Sequence, residues 1–158
     1  LLLSLCLSCG YTASTTLPSH IKTIAIPLFK NETLEYGVEE ELTRAVTEKF
    51  VSDNRLKVVG EKEASSLLLG TVKTYKRSIF SYSTGEVAQE YEVTIRVSVQ
   101  FQDVSNNKII WKEDNLQSTA RYFAIDMAGQ KAQTEQDGRA PAIQFLANDI
   151  LTRTVEGW

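Results

Sequence analysis

From Val87 to Phe101 the chain puts apolar residues on odd positions (Val87, Tyr91, Val93, Ile95, Val97, Val99, Phe101). Glu90, Glu92, Thr94, Arg96, Ser98, Gln100 and Gln102 fill the even ones. A period of two sustained over this length is a β-strand of an antiparallel sheet, with one face covered and the other polar. At ~3.3 Å per residue such a strand would extend ~50 Å, more than a small domain needs, so part of its hairpin is expected to project from the body.

The flanking segments supply its neighbours. Leu67 to Phe80 reads as a strand and Ser81 to Glu86, with Gly85, as the turn that follows it. Asp103 to Asn107 is a second turn, and Lys108 to about Phe123 a third long strand, with Ile109 and Trp111 continuing the apolar face. Upstream, Ile21 to Phe29 is apolar on both faces apart from Lys22 and Thr23, which suits a buried strand whose far end Pro27 brings near a sheet edge or bulge.

Val38, Leu42, Ala45, Val46 and Phe50 then form one helical stripe, with Asn31 and Thr33 as candidate N-caps and Glu35, Glu39, Glu40 and Glu41 loading the early turns. Asp53-Asn54 ends this helix, and Leu56 to Val59 returns as a short strand. Strand, helix and strand in that order predict a crossover with the two strands parallel. A last helix is marked by Ile143, Leu146, Ala147, Ile150, Leu151 and Val155. Gly138 and Pro141 either begin it or kink a longer helix starting near Lys131.

The expected fold is α+β, a two-layer sandwich. A mixed, mostly antiparallel sheet of four to five strands carries two helices on one face and leaves the other polar and open to a partner. A single domain over residues 21–158 accounts for all of it.

Charge and composition narrow the function. A formal net charge of -3 argues against a nucleic-acid binder. One histidine, His20, beside Pro18 and Ser19, reads as an exposed linker residue, and Cys6 and Cys9 are the only cysteines. Neither a zinc site, another metal cluster nor a His-based catalytic dyad is supported, so no cofactor is expected.

The N-terminus is more specific. Leu1 to Leu7, Ser8 and then Cys9-Gly10-Tyr11 resembles the end of a bacterial lipoprotein signal peptide, in which Cys9 becomes the lipidated first residue. Cys6 stands where that pattern prefers Leu, and an ordinary secretory signal with an incidental cysteine is the alternative. On the lipoprotein reading residues 1–8 are the signal remnant, and residues 9–20, rich in Ser, Thr and Pro from Tyr11 to Ser19, are the lipidated end and tether. Acyl chains add ~0.8 kcal/mol per buried methylene, so a multiply acylated Cys9 anchors stably. Gly10, where retained inner-membrane lipoproteins carry Asp, implies an outer-membrane destination facing the periplasm.

Several short stretches, in order, resemble the LptE family of lipopolysaccharide (LPS)-assembly lipoproteins. They are Cys9-Gly10-Tyr11, Leu17-Pro18, the strand TIAIPLF with Asn31 and Thr33 after it, Leu42-Thr43, and LKVV followed by Leu69-Gly70. EYEVTIRVSVQFQD, Ile110-Trp111 and Arg121-Tyr122-Phe123 continue the match. The resemblance implies a non-enzymatic subunit seated in the lumen of a large outer-membrane β-barrel, the LPS translocon, where it serves as plug and assembly partner and binds LPS. Thr94, Ser98 and Gln100 offer the polar surface that a barrel interior accepts, and Arg121, Tyr122 and Phe123 are candidates for the same contact.

LPS phosphates call for cations near apolar surface. Lys73, Lys76 and Arg77, leading to Phe80 and Tyr82, are the densest such stretch, with Lys131 a further candidate. The alternative is that these are edge lysines that suppress strand pairing. The turn Ser81-Tyr82-Ser83-Thr84-Gly85 lacks the basic residue that family members commonly carry there.

A lipoprotein that oligomerises through its sheet edges, as in curli-type secretion, is the competing class. Part of the pattern (TIAIPLF, the amphipathic helix and LKVV) suits it equally. An enzyme fits least, because no carboxylate is paired with a nucleophile, metal cluster or Gly-rich loop.

Overall fold

The computed structural model describes residues 17–127 and 129–157. The apolar run, Cys9 and the first part of the tether therefore lie outside the described residues. Where the tether enters them it is fastened: Leu17 packs against the core, and His20 Nε2 lies 2.6 Å from Asp103 Oδ2. Burial pushes the Asp103 carboxyl up, but hydrogen bonds from Asn106 and His20 outweigh it and hold the group below its ordinary value.

The segment read as one strand from Ile21 to Phe29 is two. β1 (Thr23–Ala25) stops before Pro27, which has no N–H for a ladder, and β2 (Lys30–Asn31) begins beyond it. After α1 (Val38–Asp53) the chain returns as β3 (Lys57–Val58), then makes a 3-10 turn at Glu61–Glu63. Three long strands follow, β4 (Ser66–Tyr82), β5 (Ala88–Asp103) and β6 (Lys108–Phe123), and α2 (Glu135–Val155) closes the chain.

The sheet has six strands in the order β3-β1-β4-β5-β6, with β2 also on β4. β1 pairs parallel with β3, as the strand-helix-strand order predicts, and also parallel with β4, while β2 pairs parallel with β4 at Lys30↔Thr71. β4, β5 and β6 form an antiparallel meander. The one strand beyond the expected four to five is β2, two residues long.

The apolar stripe of α1 is buried as its spacing requires, but its start differs. Gly37, at φ 81, is the N-cap, a left-handed conformation that glycine takes without a Cβ penalty. Asn31 and Thr33 instead hold the loop before it: Asn31 Nδ2 donates to the Glu35 carbonyl at 2.7 Å, and Asn31 Oδ1 accepts from the Thr33 N–H at 2.9 Å. α2 carries Pro141 inside it, as in the longer of the two expected forms, but starts at Glu135, four residues after the expected Lys131. Thr134 is its N-cap in a reciprocal capping box with Asp137.

Replacing Thr134 by alanine should cost about 1 kcal/mol in urea unfolding, and a loss near zero would sink the cap's importance. Hydrogen bonds from Thr134 hold the Asp137 carboxyl below 3.8. The bonds therefore contribute fully above that pH and fade as acid protonates Asp137 through its lowered native pKa.

Odd residues of β5, Leu68 and Val72 of β4, and Leu42, Val46 and Phe50 of α1 meet Leu146, Ala147 and Ile150 of α2 in one core. Each of the Val, Leu, Ile and Phe side chains among them contributes about 1.5–3 kcal/mol on burial. Ile109 does not join it: a register shift between Phe101 and Gln102 pairs Ile109 with Gln102, and it is exposed.

Candidate functional site

The helices cover only the odd-residue face of β5, so its even residues line an open, polar sheet face. Cross-strand neighbours are fixed by register: Lys76↔Thr94↔Thr119, Ser78↔Glu92↔Arg121 and Leu69↔Gln100↔Lys112. The polar groups largely satisfy one another. Thr94 and Thr119 hydroxyls are 3.1 Å apart, Arg121 Nε donates to Glu92 Oε2 at 2.9 Å, Arg96 donates to Gln117, and Ser98 donates to Asp114. Bonds from Lys112 and Ser98 hold the Asp114 carboxyl below its ordinary value. A face built this way presents hydroxyls, amides and a few charges without a large apolar patch, which suits a wet, polar contact.

The basic stretch read from the sequence is divided. A β-bulge between Val72 and Thr74 reverses the alternation of β4, so Lys76 falls on the open face and Arg77 on the helix side. Arg77 is bonded there to Glu135 at 2.6 Å and stacks 4.8 Å from the Tyr91 ring centre. Lys73 pairs with Glu32 at 2.8 Å. Among the described residues Lys76 has no ion pair, so it is the available cation of the three.

Phe80 lies under the Arg121 guanidinium, 3.4 Å from ring centre to carbon, and this cation–π contact joins the hairpin end to the open face. Tyr82 is exposed at the tip, and Lys131 is exposed in the β6–α2 loop. Thr94, Ser98, Gln100 and Arg121 share the open face, and Phe123, opposite Glu90, is half-buried at its end.

Tyr122 does not belong with them. It is 3% exposed on the helix side, stacked on Tyr91 at 5.6 Å and packed against Gly138, so its side chain belongs to the core and not to the open face. Burial pushes its hydroxyl pKa up.

Two features escaped the sequence reading. Pro27, Leu28, Lys30, Leu69, Ser98 and Lys112 line a cavity of about 290 Å³ at one end of the open face. Leu34 and Tyr36 stand out from the loop before α1, 92% and 87% exposed, while Asn31, Thr33 and Glu35 fasten that loop from within. Two large apolar side chains amid Asn, Thr and Glu were the available signal.

A family model described as lipopolysaccharide-assembly, LptE, matches residues 21–154. The chain belongs to the LptE family. No curated protein matches it in sequence. Among solved structures, the hypothetical protein CT253 from Chlamydia trachomatis is similar at TM-score 0.58 and 10% identity, covering 85% of this chain and 95% of that one. The PelC dodecamer from Paraburkholderia phytofirmans gives 0.55 at 14% identity, over 91% and 95%. Rare lipoprotein B from Shewanella oneidensis gives 0.51 at 18% identity, over 84% and 93%. At these identities the likeness is one of fold. The LptE match begins at the start of the ordered core and runs into the last turn of α2, so it takes in the open face entire.

Proposed function

We propose that this LptE-family chain is a non-enzymatic lipoprotein of the outer membrane, anchored on the periplasmic side through acylated Cys9. In this reading it sits in the lumen of the large β-barrel LPS translocon, as plug and assembly partner, and assists LPS insertion. The observation that carries the reading is the open sheet face. One side of the meander is sealed by two helices, while the other is polar, internally bonded and large, as a water-lined barrel interior would require of its plug. Thr94, Ser98, Gln100, Arg121 and Phe123 are the contacts this assigns to the barrel. Lys76, on the open face, is the residue it assigns to LPS phosphate.

Affinity purification of the tagged chain from native membranes tests the barrel contact. A single large outer-membrane β-barrel at one-to-one ratio is expected, and its absence would refute the reading. Lys76→Glu tests the LPS contact separately: affinity for LPS should fall about tenfold, the worth of one charge-assisted hydrogen bond. Unchanged affinity would remove LPS from the proposal and leave the plug.

A further inference from the structure

The cavity at one end of the open face is walled from both sides of the sheet. Lys30 enters it from β2 and Lys112 from β6, three strand spacings or about 14 Å apart, with Thr71, Ser98 and Gln100 as the floor between them. Its rim is apolar, formed by Leu69 and by Leu28, which is 61% exposed.

One side of this cavity already holds a carboxylate. Asp114 accepts from Ser98 Oγ at 2.9 Å and meets Lys112 Nζ at 3.0 Å, and these two bonds hold its carboxyl below the ordinary value. Lys30, on the other side, has no such partner: among the described residues it makes no ion pair. The wider face is short of carboxylates as well. Arg121 is matched by Glu92, but Lys76 and Arg96 make no ion pair among the described residues, and on the even positions of β5 only Glu90 is left to offset them. A locally basic face on a chain of net charge -3 calls for an acidic partner.

Spacing decides the kind of anion. Lys30 lies in the row of Thr71 and Ser98, Arg96 in the next row along β5, and Lys76 in the row after that, beside Thr94, at about 7 Å per step. The cations are thus spread along the sheet, one to a row, and do not converge on one phosphate. A volume of about 290 Å³ takes one side chain and is too small to enclose a lipid with several acyl chains.

We infer that the cavity seats an acidic side chain of the protein that covers the open face, its carboxylate bonded to the Lys30 ammonium and its apolar neighbours resting on Leu28 and Leu69. The inference rests on the plug reading, under which that protein is the barrel, and adds that the barrel wall facing this end of the sheet is acidic.

Two measurements on the full chain test it. In NMR titrations in detergent over the millimolar range, capped Leu-Glu-Leu should shift the amides of Thr71, Ser98 and Gln100, and capped Leu-Gln-Leu should bind at least about tenfold more weakly, the worth of one charge-assisted hydrogen bond. Lys30→Glu should weaken Leu-Glu-Leu by the same factor, whereas Lys62→Glu, an equal change of charge on the exposed 3-10 turn, should leave it unchanged. Equal losses in the two variants, or no loss in Lys30→Glu, overturn the inference. A Lys30→Glu variant that keeps the peptide but loses LPS overturns it in favour of a lipid phosphate. In native membranes, Lys30→Glu should release the co-purifying barrel at lower salt than the unaltered chain does, and release at the same salt also overturns the inference. Recovery of no barrel with the unaltered chain refutes the plug reading instead, and Lys30-dependent peptide binding then still supports an acidic partner.

Discussion

Replacing Arg139 by alanine is expected to cost about 3–5 kcal/mol of folding stability, the penalty for leaving buried charge uncompensated. The Arg139 side chain is 6% exposed and spans three elements from α2. Its Nη1 donates to Glu35 at 2.5 Å, its Nη2 and Nε donate to Glu41 at 2.6 and 3.1 Å, and its guanidinium lies 5.8 Å from the Tyr75 ring centre. The hydrogen bond to Glu41, ahead of the opposing effect of burial, raises the pKa of Arg139, so it stays charged at any accessible pH. Without it the carboxylates of Glu35, in the loop before α1, and Glu41, on α1, lose their shared partner. Arg139→Lys keeps the charge but not the planar fork, and should recover only part of the loss. Urea unfolding measures both, and a loss below about 1 kcal/mol for Arg139→Ala would show that solvent already screens the two glutamates.

Gly70→Ala should destabilise by about 1–3 kcal/mol, although alanine in a strand ordinarily gains about 0.5–1 kcal/mol over glycine. Packing decides the sign. A Cβ at Gly70 would fall within the Phe29 ring, which is 2% exposed and has its backbone N–H bonded to Thr43 Oγ1 at 3.0 Å. The ring has nowhere to retreat. Combining Gly70→Ala with Phe29→Leu, which thins the side chain, should restore part of the stability, whereas strictly additive losses would mean that the two do not collide.

What could be read in advance depended on the range of each signal. The β5 alternation is strictly periodic, and it fixed which face would be covered, because a one-residue slip would expose Val93, Ile95 and Val97 together. The α1 stripe and its end at Asn54, in the left-handed region at φ 60, were legible for the same reason. β2 was not, since two residues carry no period. Nor was the start of α1, because Asn31 and Thr33 are as fit to hold a turn as to cap a helix, and only the tertiary fold chose. At the candidate site the bulge after Val72 mattered most. It adds one residue and so exchanges the sides of Lys76 and Arg77, which unbroken alternation would have set with Lys76 under the helices and Arg77 on the open face.

The same sheet joins two kinds of pairing, and they differ in how far the chain must travel to make them. β4, β5 and β6 are closed by short turns at Ser83–Glu86 and after Asp103, so their contacts form between neighbours. β1 and β2 must find β4 across a long loop: the Thr23 carbonyl meets the Ser66 hydroxyl 43 residues away. Loop closure of that span is slower than hairpin formation. The N-terminal strands β1 and β2 are therefore expected to dock onto the meander after its hairpins have formed.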